Sequence, residues 1–200
     1  GLKFFDSNGD KISKNLEIKI ENIVLNHKKY LNIINKNTKT GKALRLKDAQ
    51  GRYSEFLKLK LEKKINFNKI KVILDCGNGA TYSIAPKIFW ELGCDVVAIN
   101  NQPDGKNINL NCGAVNVKAL SQKVLITKAD VGFAFDGDGD RLIVVDDKGN
   151  EIDGDKILAL FTKNLLKNNK LTKNTVVATS MSNLGFENYL KKELGVKLVR

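Results

Sequence analysis

From Asp48 onward, short apolar runs alternate with stretches whose apolar residues recur at helical spacing, and this alternation narrows the possible folds more than any other feature. Val72-Ile73-Leu74 is an unbroken apolar run, the pattern of a strand buried on both faces of a parallel sheet. Ile84–Leu92 then reads as a helix, Val96–Ile99 as a strand and Val117–Ile126 as a helix, and Val131, Phe133 and Phe135 mark a further strand. Leu142–Val145 follows after only a short loop, so this last pair is expected to be antiparallel, with a turn at Lys148-Gly149-Asn150. A second unit starts near Gly154. Its helix carries Ile157, Leu158, Phe161, Leu165 and Leu166, and strand Thr175–Ala178, helix Gly185–Leu194 and strand Val196–Val199 follow. The pattern predicts an α/β chain with mixed, mainly parallel sheets and helices on both faces.

The preceding residues are organised differently. Leu2–Phe5 reads as a strand, Asn8-Gly9 as a turn, and Ser13 as the N-cap of a helix carrying Leu16, Ile20, Ile23 and Val24. His27, the single histidine, is expected at the end of that helix as a surface residue without a role. Tyr53, Phe56, Leu57 and Leu61 mark another helix. Residues 1–47, 48–150 and 151–200 are therefore read as three successive domains or parts of domains, the last incomplete. With no starting Met and no signal peptide, the chain reads as an internal fragment.

Composition excludes several classes. The net charge of +12 raises the question of nucleic acid, but the lysines are spread from Lys3 to Lys197 with few aromatics among them, so a solvated basic surface is expected instead. No stretch approaches the roughly 20 apolar residues of a membrane span. Cys76, Cys94 and Cys112 form no Cys-x-x-Cys unit, and one His completes no zinc set, so reduced thiols in a cytoplasmic protein are expected. Gly77-Asn78-Gly79 lacks the third glycine of a dinucleotide fingerprint, Tyr82 standing in its place, and reads as a tight strand-to-helix turn. Ser180 and Ser182 lack a His partner and a nucleophile elbow.

One segment carries chemistry. Phe135-Asp136-Gly137-Asp138-Gly139-Asp140-Arg141 lies between two strands, at the C-terminal end of the first, where open α/β sheets bind ligands. Alternation brings three carboxylates toward one point, and the intervening glycines permit the backbone angles required. Three such charges repel unless a cation neutralises them, and hard carboxylate oxygens suit Mg²⁺ or Ca²⁺. An EF-hand loop would need Gly where Arg141 stands and Glu where Asp147 stands, followed by a helix, so that reading fails. Arg141 beside the acidic cluster points to an anionic substrate.

This loop is identical to the metal-binding loop of the α-D-phosphohexomutases, and the resemblance extends through the chain. Leu74–Thr81, Pro103-Asp104-Gly105, Asn107-Ile108-Asn109, Asn111-Cys112-Gly113, Asp153-Gly154-Asp155 and Met181–Gly185 resemble the phosphoglucosamine mutase branch of that superfamily. The resemblance implies successive phosphohexomutase-type α/β domains: the C-terminal part of domain I at 1–47, domain II with the metal loop at 48–150, and the N-terminal part of domain III at 151–200. It implies an isomerase, an intramolecular phosphotransferase interconverting glucosamine 6-phosphate and glucosamine 1-phosphate through a phosphoserine enzyme and a bisphosphate intermediate, in amino-sugar and peptidoglycan precursor synthesis. Asp136, Asp138 and Asp140 map onto its Mg²⁺ ligands, Arg141 onto an active-site residue binding the phosphoryl group, and Lys3 onto a proposed proton-transfer residue. The phosphoserine itself is expected before Gly1, so the isolated chain is expected to be inactive. Glucosamine 1,6-bisphosphate or glucose 1,6-bisphosphate is the implied activator, a phosphosugar the partner, and a homodimer the full-length assembly; neither nucleic acid nor membrane is implied. A phosphomannomutase or phosphoglucomutase, and a non-catalytic Mg²⁺-binding fragment, are the alternatives. One departure is visible: after Asn111-Cys112-Gly113 the family continues Ser-Thr-His-Pro, whereas this chain has Ala114-Val115-Asn116-Val117.

Overall fold

The computed structural model describes residues 3–36, 42, 44, 46–61 and 65–200. These fall into two compact units, residues 1–47 and 48–200.

In the first unit, Ser13 caps α1 (Lys14–Leu25): its backbone is extended, and its hydroxyl accepts from the Leu16 amide. α2 spans His27–Lys36, so His27 opens the second helix instead of closing the first. The reason is local: the Asn26 amide closes α1 on the Asn22 carbonyl, and the chain re-enters helix at once. The strand expected over Leu2–Phe5 is reduced among its described residues to one antiparallel bridge, Phe5 with Lys11, across a turn whose amides bond to Asp6; Leu2 lies outside the described residues.

The second unit begins with α3 (Ala49–Lys58) and is built on a five-stranded sheet. Its strands are β1 (Lys71–Asp75), β2 (Asp95–Ile99), β3 (Val131–Phe135), β4 (Leu142–Asp146) and β5 (Glu151–Ile152), in the order β2-β1-β3-β4-β5. β1 pairs in parallel with β2 and β3, while β3–β4 and β4–β5 are antiparallel. The short β5 carries no apolar pattern of its own and was not legible in the sequence; it forms because the turn at Gly149 (φ +77°) returns the chain beside β4.

The pleat sorts the core onto two faces. Ile73, Ala134 and Val145 pack with Leu120 and Val124 of α5 (Lys118–Thr127). Val72 and Leu74 turn the other way and pack with Ala85 of α4 (Ile84–Glu91), with Phe89 and Phe133 joining them. β1, buried from Val72 onward, is the central strand that the apolar run predicts. A second sheet pairs β6 (Thr175–Val177) in parallel with β7 (Lys197–Val199). Against it pack α6 (Gly154–Lys167), α7 (Leu184–Tyr189) and the turn that follows α7, through Leu158, Phe186 and Leu190. The helix read over Gly185–Leu194 is continued past Tyr189 by a single π-helical turn ending at Gly195. The fold class is the expected one: α/β, mixed sheets, helices on both faces.

The chain leaves β1 toward β2 by way of α4 and returns from β2 to β3 by way of α5, so the connections diverge between the neighbours β1 and β3. The C-terminal ends of those two strands flank the crevice in which open α/β sheets bind ligands.

Candidate metal centre

The Asp136–Arg141 loop springs from β3 at this crevice. Asp136 is buried at 3% exposure, while Asp138 and Asp140 face solvent. One carboxylate oxygen from each lies within 4.8 Å of the others. The loop closes on itself: the Gly139 amide donates to the Asp136 carbonyl at 3.1 Å, and Gly139 takes the left-handed conformation (φ +74°) that glycine adopts without strain.

Arg141 grips the buried member of the set. Its backbone amide donates to Asp136 Oδ1 at 3.1 Å and its Nε to Asp136 Oδ2 at 2.9 Å, with Asp140 Oδ1 at 3.9 Å. Burial works against ionisation of Asp136, but the side-chain and backbone hydrogen bonds from Arg141, a contact with Asp140 and the guanidinium charge outweigh it and hold the carboxyl at about 2. Three carboxylates against one guanidinium leave a net acidic cluster of hard oxygen donors. That donor set fits a hard divalent cation. The guanidinium, at 70% side-chain exposure, retains donors toward solvent for an anionic group.

The loop rests on glycines. A Cβ on Gly79, just after β1, would strike the Gly137 peptide, with its Cα only 2.7 Å away, and the Ala80 amide donates to the Gly137 carbonyl at 2.8 Å. The turn after β1 was legible as a tight strand-to-helix turn but not as the bed of the acidic loop. Nor was Asp75 singled out, although it lies fully buried at the end of β1. A carboxylate ending a buried strand ahead of Gly-x-Gly was the available signal.

Of the residues marked in the sequence, the structure brings Asp136, Asp138, Asp140 and Arg141 together. Lys3 belongs to the other unit, where it is exposed and lines a cavity of about 300 Å³ with Glu17 and Glu21. Ala114–Val117, the departing segment, forms a short 3₁₀ turn and the entry to α5.

The sheet order, the helices on both faces and the acidic loop at the switch point define an α/β domain of the phosphohexomutase type. The chain belongs to the phosphoglucomutase/phosphomannomutase family: residues 51–149 match its α/β/α domain II and residues 153–200 its α/β/α domain III. Within the family it is similar to phosphoglucosamine mutases. It is 48% identical to that of Thermodesulfovibrio yellowstonii over 200 residues, all of this chain and 44% of the relative. It is 47% identical to that of Syntrophus aciditrophicus over 192 residues, 96% of this chain and 42% of the relative. The chain thus spans less than half the length of these relatives. Among solved structures, a phosphoglucomutase/phosphomannomutase family protein of Burkholderia thailandensis aligns over 85% of this chain and 37% of its own, with TM-score 0.64 and 27% identity. No helix among the described residues is long and apolar enough to cross a membrane.

Proposed function

We propose that this chain is part of a phosphosugar mutase interconverting glucosamine 6-phosphate and glucosamine 1-phosphate, in a cytoplasmic route to amino-sugar and peptidoglycan precursors. The observation that carries the reading is the convergence of Asp136, Asp138 and Asp140 with Arg141 at the switch point of the sheet. In this reading residues 1–47 end domain I, residues 48–150 form domain II and residues 151–200 begin domain III. The sugar follows from likeness to proteins named phosphoglucosamine mutase, at 47–48% identity.

The chemistry is phosphoryl transfer. A phosphoserine of the longer protein gives its phosphoryl group to the free hydroxyl of the sugar phosphate. The bisphosphate so formed reorients and returns the other phosphoryl group to the serine. Asp136, Asp138 and Asp140 are the residues that would hold Mg²⁺, which when bound offsets negative charge on the transferring group. Asp136, kept ionised by Arg141 and fixed by burial, anchors the set, and the two exposed aspartates complete it. Arg141 orients the phosphoryl oxygens through donors not engaged by Asp136. Lys3 is the candidate to carry a proton to or from the reacting hydroxyl. Glucosamine 1,6-bisphosphate or glucose 1,6-bisphosphate would prime the serine, and a homodimer is the assembly proposed.

The family's own description, phosphoglucomutase/phosphomannomutase, favours one rival, a mutase of neutral hexoses. The test assays the full-length protein with glucosamine 6-phosphate, glucose 6-phosphate and mannose 6-phosphate, each with Mg²⁺ and with chelator. Preference for the amino sugar, abolished by chelation and by Asp138→Ala with the fold retained, is the expected result. Preference for a neutral hexose moves the protein to the sister branch. Full turnover by Asp138→Ala would sink the metal assignment.

A further inference from the structure

We propose that Asp75 is a positioning residue that sets the metal loop from beneath, acting through Gly77 and Gly113 with Asn109 as its wedge; this rests on reading the loop as a divalent-cation site. Asp75 ends β1 and is fully buried. Its two oxygens serve different segments: Oδ1 accepts from the Gly77 amide at 3.0 Å and Oδ2 from the Gly113 amide at 2.9 Å. Asp75 and Gly113 are 38 positions apart in sequence, and the two glycines it joins lie on the turn after β1 and the turn before α5. Both glycines have positive φ, +54° and +68°. They face one another so closely that a Cβ on Gly113 would lie 3.0 Å from Gly77 Cα. Both also look onto the Phe135 carbonyl, at 3.0 Å from a Cβ on Gly77 and 2.5 Å from one on Gly113. Phe135 is the residue before Asp136.

Asn109 fills the remaining gap. Its amide donates to the Gly77 carbonyl at 2.8 Å, and its side chain lies against Gly77, Gly113 and Gly137, with Nδ2 only 3.0 Å from where a Cβ on Gly137 would stand. Asp75, the two glycines, Asn109 and the backbone at Phe135 and Gly137 form one contiguous layer under the aspartates. Only a carboxylate presents an acceptor to both glycine amides; an asparagine would set its own NH₂ against one of them. An apolar side chain at this position would leave the buried Gly77 and Gly113 amides without these acceptors. In this proposal the side chain is kept because its two oxygens space the turns that bear the loop.

The test reads Mn²⁺ binding by electron paramagnetic resonance, alongside thermal unfolding, in the protein and in four variants. Asp75→Asn and Asn109→Ala are expected to weaken Mn²⁺ binding about 10–100-fold, as loss of groups that orient metal ligands does. Asp138→Ala should abolish it. Val124→Ala opens a cavity against Gly132, at the far end of β3 from the loop, and should lower the unfolding midpoint with Mn²⁺ affinity unchanged. Asn109 has φ +55°, so Asn109→Ala should lower the unfolding midpoint as well as Mn²⁺ affinity, whereas Val124→Ala lowers the midpoint alone, a split that a merely structural role would not give. Should Asp75→Asn fail to fold, Asn109→Ala decides alone. Wild-type Mn²⁺ affinity in the folded Asp75→Asn and Asn109→Ala proteins, with binding abolished by Asp138→Ala, would overturn the positioning role and leave the metal site standing. Wild-type affinity in Asp138→Ala would overturn both.

Discussion

Asp136 and Cys76 show how one crevice drives neighbouring ionisable groups in opposite directions. Asp136 is nearly as buried as Cys76, yet Arg141 reaches both its oxygens and keeps it charged. Cys76 has no cation beside it among the described residues. Burial pushes its thiol up to about 11, and the Asp75 carboxylate adds to the push. The sign of the consequence is fixed: a thiol whose pKa is higher folded than unfolded favours folding while neutral. That contribution is complete below the ordinary value of 9.0 and fades as the pH rises toward about 11. Urea unfolding midpoints measured from pH 7 to pH 11 should therefore fall more steeply above about pH 9 for wild type than for Cys76→Ala. Parallel profiles would show that the thiol titrates normally. The residue-level chemistry of the loop was legible because alternating Asp and Gly leaves few other uses for the segment. The support from Asp75 and Asn109 was not, because their partners lie far away in sequence.

At the scale of elements, β1 and α1 are opposites. β1 is covered on both faces, and Ile73 is fully buried between α5 and its neighbours in the sheet. α1 has a good cap but no buried residue. Ile73→Ala should cost about 2–5 kcal/mol, through lost transfer energy and the cavity left behind. Ser13→Ala should cost about 1 kcal/mol, the worth of a cap, and only within the helix it caps. Circular dichroism with urea titration checks both, and equal effects would mean that α1 is buried as deeply as the sheet. The strands and helices of the second unit were readable because their apolar periods are long and their turns carry glycine or asparagine. β5, two residues long, has no period to read. The strand looked for at Leu2–Phe5 shows only a bridge among its described residues, Phe5 with Lys11 across the Asp6 turn.

For the whole molecule, the same contrast predicts uneven stability. Amides of β1 and β3, bonded to strands on both sides, should exchange with solvent only on global unfolding. Amides of α1 should exchange through local opening, several orders of magnitude faster. Hydrogen–deuterium exchange followed by mass spectrometry resolves the two, and uniform protection across residues 14–25 and 71–75 would contradict the division.

The sequence by itself determined the strand and helix periods, the parallel character of β1, the antiparallel return of β4 and the identity of the acidic loop. Each of these depends on neighbours within a few residues, where side-chain period and turn chemistry act directly. Tertiary structure decided the order β2-β1-β3, and so the placement of the loop at the switch point. It also decided the pairing of Arg141 with the buried Asp136 and the joining of Gly77 to Gly113 through Asp75. These depend on contacts across the sheet that no local pattern encodes, and on burial, which gives a charge its partners and its cost only once the core has closed around it.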